Sequence, residues 1–161
     1  MSQKHKTDQK TAQKTEKKTE RKTMQQYRAE YALEKINALG GKETRQKEEI
    51  TQLLRKLPAL IHGSGLGQTL AFLRAKQGND GEKSHAHVYT ILSDWLCQSN
   101  NKGCVFTGGN PNDALQAIAH GNMRQYMAAQ NEALALLDWL VKLAQALLAQ
   151  PDGQGREEGA S

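Results

Sequence analysis

The chain has 161 residues, a net charge of +5, and 37% hydrophobic but only 5% aromatic content. This suits one domain plus tails, with a core resting on Leu and Ala, a composition that favours helices. No apolar h-region opens the sequence, and the longest apolar stretch, residues 133–149, carries Asp138, Lys142 and Gln145, so the expectation is a cytoplasmic protein without signal peptide or membrane span.

The charge is concentrated at the N-terminus. Residues 1–23 hold eight Lys/Arg against Asp8, Glu16 and Glu20, and the remaining chain carries fourteen of each sign. Lys-Thr recurs every four residues through this tract, and its only apolar residue after Met1 is Ala12. Like charges at i, i+4 oppose a helix, so 1–23 is expected to be a disordered basic tail. Its functional alternative is a sequence-independent arm for polyanions. A helical domain is expected over 24–150, and a second disordered tail over 151–161.

The first predicted helix is MQQYRAEYALEKINAL, with Ala29, Ala32, Leu33, Ile36 and Leu39 on one face and Gly40-Gly41 ending it. A second helix spans about Glu43–Leu57, its residues Ile50, Leu53, Leu54 and Leu57 falling at i, i+3, i+4 and i+7. Pro58 disturbs its end, and Gly63 and Gly65 turn the chain with positive φ. The third helix, LGQTLAFLRAK, buries Leu66, Leu70 and Leu73 and sets Gly67, Ala71 and Arg74 on a neighbouring face. The fourth, SHAHVYTILSDWLCQ, carries Val88, Ile91, Leu92, Trp95 and Leu96 at helical spacing. After the loop SNNKGCVFTGGNP, Asn110 is placed as N-cap with Pro111 opening a short helix through Ile118. Asn122 caps the last helix, 123–149, whose apolar circumference needs cover on most sides. That makes it either the centre of the bundle or a helix packed partly on a partner chain. The fold class is all-α: a single bundle of about six helices with a disordered basic N-terminal tail.

Three chemical readings fail on spacing. GSGLGQT (63–69) is rich in glycine ahead of a helix, but a P-loop alignment puts His62 at the first glycine and Gln68 at the lysine. Gly63, Gly65 and Gly67 do not match G-x-G-x-x-G either, and a helix rather than a strand precedes them. His85 and His87 stand two apart on a helix and point away from each other, which disfavours a shared metal ion. Cys97 and Cys104 form no CxxC pair and are read as free thiols, with a small disulfide loop as the alternative. Glu132 is placed in the first turns of its helix rather than in acid/base work. No framed nucleophile, metal set or cofactor motif is found, so no cofactor is expected and the chain is not expected to be an enzyme.

LPALIHGSGLGQTLAFLRAK, taken with RQYMAAQNEALALLDWLVKLAQALLA, resembles the small helical subunit family of the type III-B CRISPR (Cmr) RNA-guided effector complex. The resemblance covers residues 27–149 and rests on Leu57-Pro58, Ile61, Gly65-Leu66, Gln68 to Leu73, Lys76, Tyr126, Glu132-Ala133-Leu134 and Trp139. Ser64 stands where the pattern often has Asn, and the Lys-Thr tail lies outside it. The resemblance implies a non-catalytic building block of antiviral defence. Its partners would be the backbone and large subunits, neighbouring copies of itself in a minor filament, and the guide–target RNA duplex. The implied RNA contact is with phosphates and therefore sequence-independent. Arg74 and Lys76 are the first candidates for it, with Lys56 and Arg124 behind them. Two alternatives stand beside this reading. One is a helix-turn-helix DNA-binding regulator using LGQTLAFLRAK, which offers only Gln68 and Thr69 to base edges. The other is a helical adaptor without nucleic-acid contact.

Overall fold

The computed structural model describes residues 20–80, 83–107 and 113–149. Among them there are five helices and no strand: α1 (Met24–Leu39), α2 (Thr44–Gln77), α3 (Ser84–Cys97), α4 (Ala114–His120) and α5 (Met123–Leu147). Residues 1–19 and 151–161, which hold most of the two expected tails, lie outside the described residues.

Helix α1 starts at a capping box. The Thr23 hydroxyl accepts from the Gln26 N–H, and the Gln26 side chain accepts from the Thr23 N–H. Its buried face is Tyr31, Ala32, Ile36 and Leu39. Leu33, expected inside, is 42% exposed, because the buried face is turned towards the Tyr31 side of the helix. The Tyr31 ring lies 4.7 Å from that of Trp95, and its hydroxyl donates to the Ile91 carbonyl at 2.8 Å.

The expected second and third helices are joined in α2. The helix continues through Pro58, whose missing N–H interrupts the hydrogen-bond ladder without ending it. Gly63 does not take positive φ; the break falls at Gly65 alone, at φ +83° and ψ +163°. Ile50, Leu53, Leu54, Leu57 and Ile61 are buried before the break, and Leu66, Leu70 and Leu73 after it.

Helix α3 is the most enclosed, with Val88, Tyr89, Ile91, Leu92, Trp95, Leu96 and Cys97 all buried. The loop after it folds back through Val105 N–H to the Leu96 carbonyl at 2.8 Å. Gly103 lies so close to Trp95 that a Cβ there would overlap the indole. Helix α4 begins at Ala114 with Asp113 as its cap, accepting from the Gln116 N–H; Asn110 and Pro111, expected to open it, lie outside the described residues. Two α3 side chains hold the same end: Ser93 Oγ accepts from Ala114 N–H and Tyr89 Oη from Leu115 N–H.

Asn122 caps α5 in a second capping box, with Gln125. Helix α5 packs on α1 and α2 through Ala129, Ala133, Leu136, Leu137, Leu140 and Ala144. It is not the centre of the bundle. Leu134, Trp139, Val141 and Leu143 are only partly buried and Leu147 is exposed, so this helix keeps apolar surface that the other described residues do not cover. Among the described residues no helix is long and apolar enough to cross a membrane.

Candidate nucleic-acid interface

The glycine-rich turn is occupied from within the chain. Breaking α2 at Gly65 frees the N–H groups of Leu66 and Gly67, which a new helical segment cannot satisfy itself. Gln130 Oε1 accepts from Leu66 N–H at 3.0 Å, and Tyr126 Oη accepts from Gly67 N–H at 3.2 Å. Helix α5 therefore supplies a tertiary cap where a phosphate would otherwise sit. Thr69 donates to the Gly65 carbonyl at 2.9 Å and is 1% exposed, so it is closed to a DNA base. Of the two base readers named for a helix-turn-helix, only Gln68 reaches solvent.

Glu132 stands well inside α5, not in its first turns. It accepts two hydrogen bonds from Arg28, at 2.7 and 2.8 Å, and one from Trp95 Nε1 at 3.0 Å. The bond to Glu132 raises the Arg28 guanidinium further above its ordinary value, against the desolvation that burial imposes. This carboxylate ties α1, α3 and α5 together, with three of its roughly four acceptor sites used in doing so.

The four basic candidates do not form one patch. Lys56 and Lys76, twenty positions apart, line the same groove of about 430 Å³ between the two halves of α2 and the start of α3. The kinked helix folds its first and last turns towards each other there. Arg74 points elsewhere: its guanidinium is 3.8 Å from Asp113 Oδ1 and 5.2 Å from the centre of the Tyr89 ring, so it braces α4. Arg124 is exposed on the first turn of α5, away from the groove.

Lys83, Phe72 and His85 also line the groove; Lys83 was not expected there, Phe72 was named only within the family-like segment, and His85 only as a disfavoured metal ligand. Phe72 precedes Lys76 by one helical turn, and that i, i+4 spacing was the available signal. The Phe72 and His85 rings meet edge to face at 5.7 Å. Burial first, and then the nearby Lys76 ammonium, lower His85 from the ordinary imidazole value; Glu49 opposes them. Among the described residues lining the groove, Lys56, Lys76 and Lys83 stand against the carboxylate of Glu49. Among the described residues no three His, Cys, Asp or Glu side chains gather as a metal-ligand set. Cys97 is buried and Cys104 half-buried, both as free thiols.

Comparison with known proteins gives one answer. The CRISPR-associated protein family Cas_Cmr5 is matched over residues 24–147. The CRISPR system Cmr subunit Cmr5 of Thermus thermophilus is 26% identical over 122 residues, covering 76% of this chain and 93% of the relative. The crystal structure of a CRISPR-associated Cmr5 family protein from Thermus thermophilus superposes with a TM-score of 0.61 at 27% identity, over 79% of this chain and 98% of that one. The matched segment starts at the first residue of α1 and stops at the last of α5, and the chain belongs to the Cmr5 family of CRISPR-associated proteins.

Proposed function

We propose that this chain is the non-catalytic small subunit of a cytoplasmic type III-B CRISPR RNA-guided effector complex that acts in antiviral defence. In this reading, copies of the chain stack beside the backbone subunits as a minor filament, and the large subunit completes the assembly. The observation that carries the reading is the family match running the length of the helical body, from α1 to α5. The uncovered apolar residues of α5 supply surface for neighbouring subunits.

The contact with the guide–target duplex is assigned to phosphates, which position a nucleic acid without reading its bases. Among Arg74, Lys76, Lys56 and Arg124, the pair Lys56 and Lys76 is favoured because the two side chains share one groove. Arg74 already has Asp113 and Tyr89 as neighbours, which makes its first role structural.

Filter binding of target RNA to reconstituted complex at several salt concentrations tests this reading. Lys56→Ala with Lys76→Ala is expected to weaken binding equally for every matched guide–target pair. It should also reduce the slope of log affinity against log salt by about 1–2, as fewer counterions are released. Wild-type affinity at every salt concentration, in a complex of normal composition, would remove these lysines from the RNA face.

A further inference from the structure

Phosphate contact alone does not account for the floor of the lysine groove. Phe72 is 37% exposed and Leu60 is 36% exposed, and both line it together with Lys56, Lys76 and Lys83. A duplex backbone offers nothing apolar to cover these side chains. An unpaired nucleotide does, because its base has a flat apolar face and its phosphates lie to either side. A positively charged groove with an aromatic side chain in it is the general solution for holding single strands without reading sequence. The groove, at about 430 Å³, is of the size that admits a small ligand such as one base. His85, another lining residue, meets the Phe72 ring at 5.7 Å between centroids in a T-shaped pair, which adds a second ring to the groove wall.

We infer that this groove is a binding site for an unpaired nucleotide of single-stranded RNA, its base stacked on Phe72 and its flanking phosphates held by Lys56, Lys76 and Lys83. The inference rests on the RNA contact proposed above and narrows it from a duplex backbone to a strand with a free base. The division of labour is definite. Phe72 supplies stacking, which is insensitive to salt. The lysines supply the charge, which is not.

The test is fluorescence-anisotropy binding of the full chain to oligouridine and, separately, to a fully paired RNA hairpin, over a salt series. Phe72→Ala is expected to weaken oligouridine binding about tenfold, within the range for losing one stacked base, with no change in salt slope. It should leave hairpin binding unchanged, and Phe72→Trp should restore the single-strand affinity. Lys56→Ala with Lys76→Ala should instead lower the single-strand salt slope by about 1.4. The basic N-terminal tract is present in every variant and cancels from these comparisons. If Phe72→Ala binds oligouridine like wild type while the lysine variant still loses affinity, the stacking site is overturned and the phosphate contact survives. If neither variant changes RNA binding by the chain or by reconstituted complex, both readings fail. If Phe72→Ala keeps wild-type RNA affinity but the chain no longer joins the complex, the groove holds a protein and the inference is overturned.

Discussion

Gly65 excludes a side chain on two counts, backbone conformation and space. Its φ of +83° is open to glycine and costly for other residues, and a Cβ there would stand 2.5 Å from Tyr126 Oη. Gly65→Val is therefore expected to cost about 1–3 kcal/mol, read as a lower midpoint in chemical unfolding; an unchanged midpoint would make the position an ordinary loop. The glycine cluster was visible in the sequence, but which glycine breaks the helix was not. That choice depends on Tyr126, sixty-one residues away, whose hydroxyl would stand 2.5 Å from a Cβ at Gly65 but 3.8 Å from one at Gly67, while a Cβ at Gly63 would meet nothing within 4 Å. Leu33 was misplaced too: the buried face of α1 is turned towards Tyr31, whose ring lies 4.7 Å from that of Trp95, which puts Leu33 at the exposed edge. A second residue sets a pH limit. Burial raises the Cys97 thiol from 9.0 to about 11, and burial raises the Tyr31 phenol as well. Between those two values the folded chain keeps the thiol proton that the unfolded chain releases. The unfolded state then binds fewer protons, so stability is intact below the lower value and declines as pH rises towards the upper one. Urea unfolding at about pH 8 and about pH 10.5 should show a lower midpoint at the higher pH, with Cys97→Ala reducing the loss. Equal midpoints would show that neither group is as enclosed as the structure has it.

Helix α2 behaves as two helices joined by a kink, and α5 is what makes the kink tolerable. Tyr126 and Gln130 lie on one face of α5, four residues apart, and satisfy two successive N–H groups past the break. Tyr126→Phe and Gln130→Ala should each cost about 1–2 kcal/mol by leaving a partly buried N–H without its acceptor. Thermal unfolding of the single and double variants gives the coupling between them. Two neutral single variants would mean that water replaces both caps. Helix existence was legible throughout, since apolar spacing and the Asn122 cap are local signals. The continuity of α2 through Pro58 was not, because burial of Leu57 and Ile61 on either side outweighs the lost hydrogen bond. The start of α4 was equally hidden, since Asp113 works as a cap with Tyr89 and Ser93 of another helix around it.

At the scale of the whole molecule, the all-α bundle follows from the composition, and the family from one turn-helix segment with its α5 partner. The groove was only half legible. Lys56 and Lys76 could be named, but their convergence needs the kink at Gly65, and Lys83 arrives from a separate loop. That Arg74 stands outside the groove was not legible, because its neighbour Asp113, 3.8 Å away, lies thirty-nine residues on. Helix α5 keeps partly exposed apolar residues, and apolar surface gathered in a patch is ordinarily covered in an assembly. The central claim is that the chain is a building block of an RNA-guided complex, and native mass spectrometry of material purified through a tag on the full chain tests it most directly. The predicted result is a particle holding a guide RNA, the backbone and large CRISPR subunits, and more than one copy of this chain. Recovery of the chain without guide RNA, while the remaining subunits assemble and bind target without it, would contradict the account.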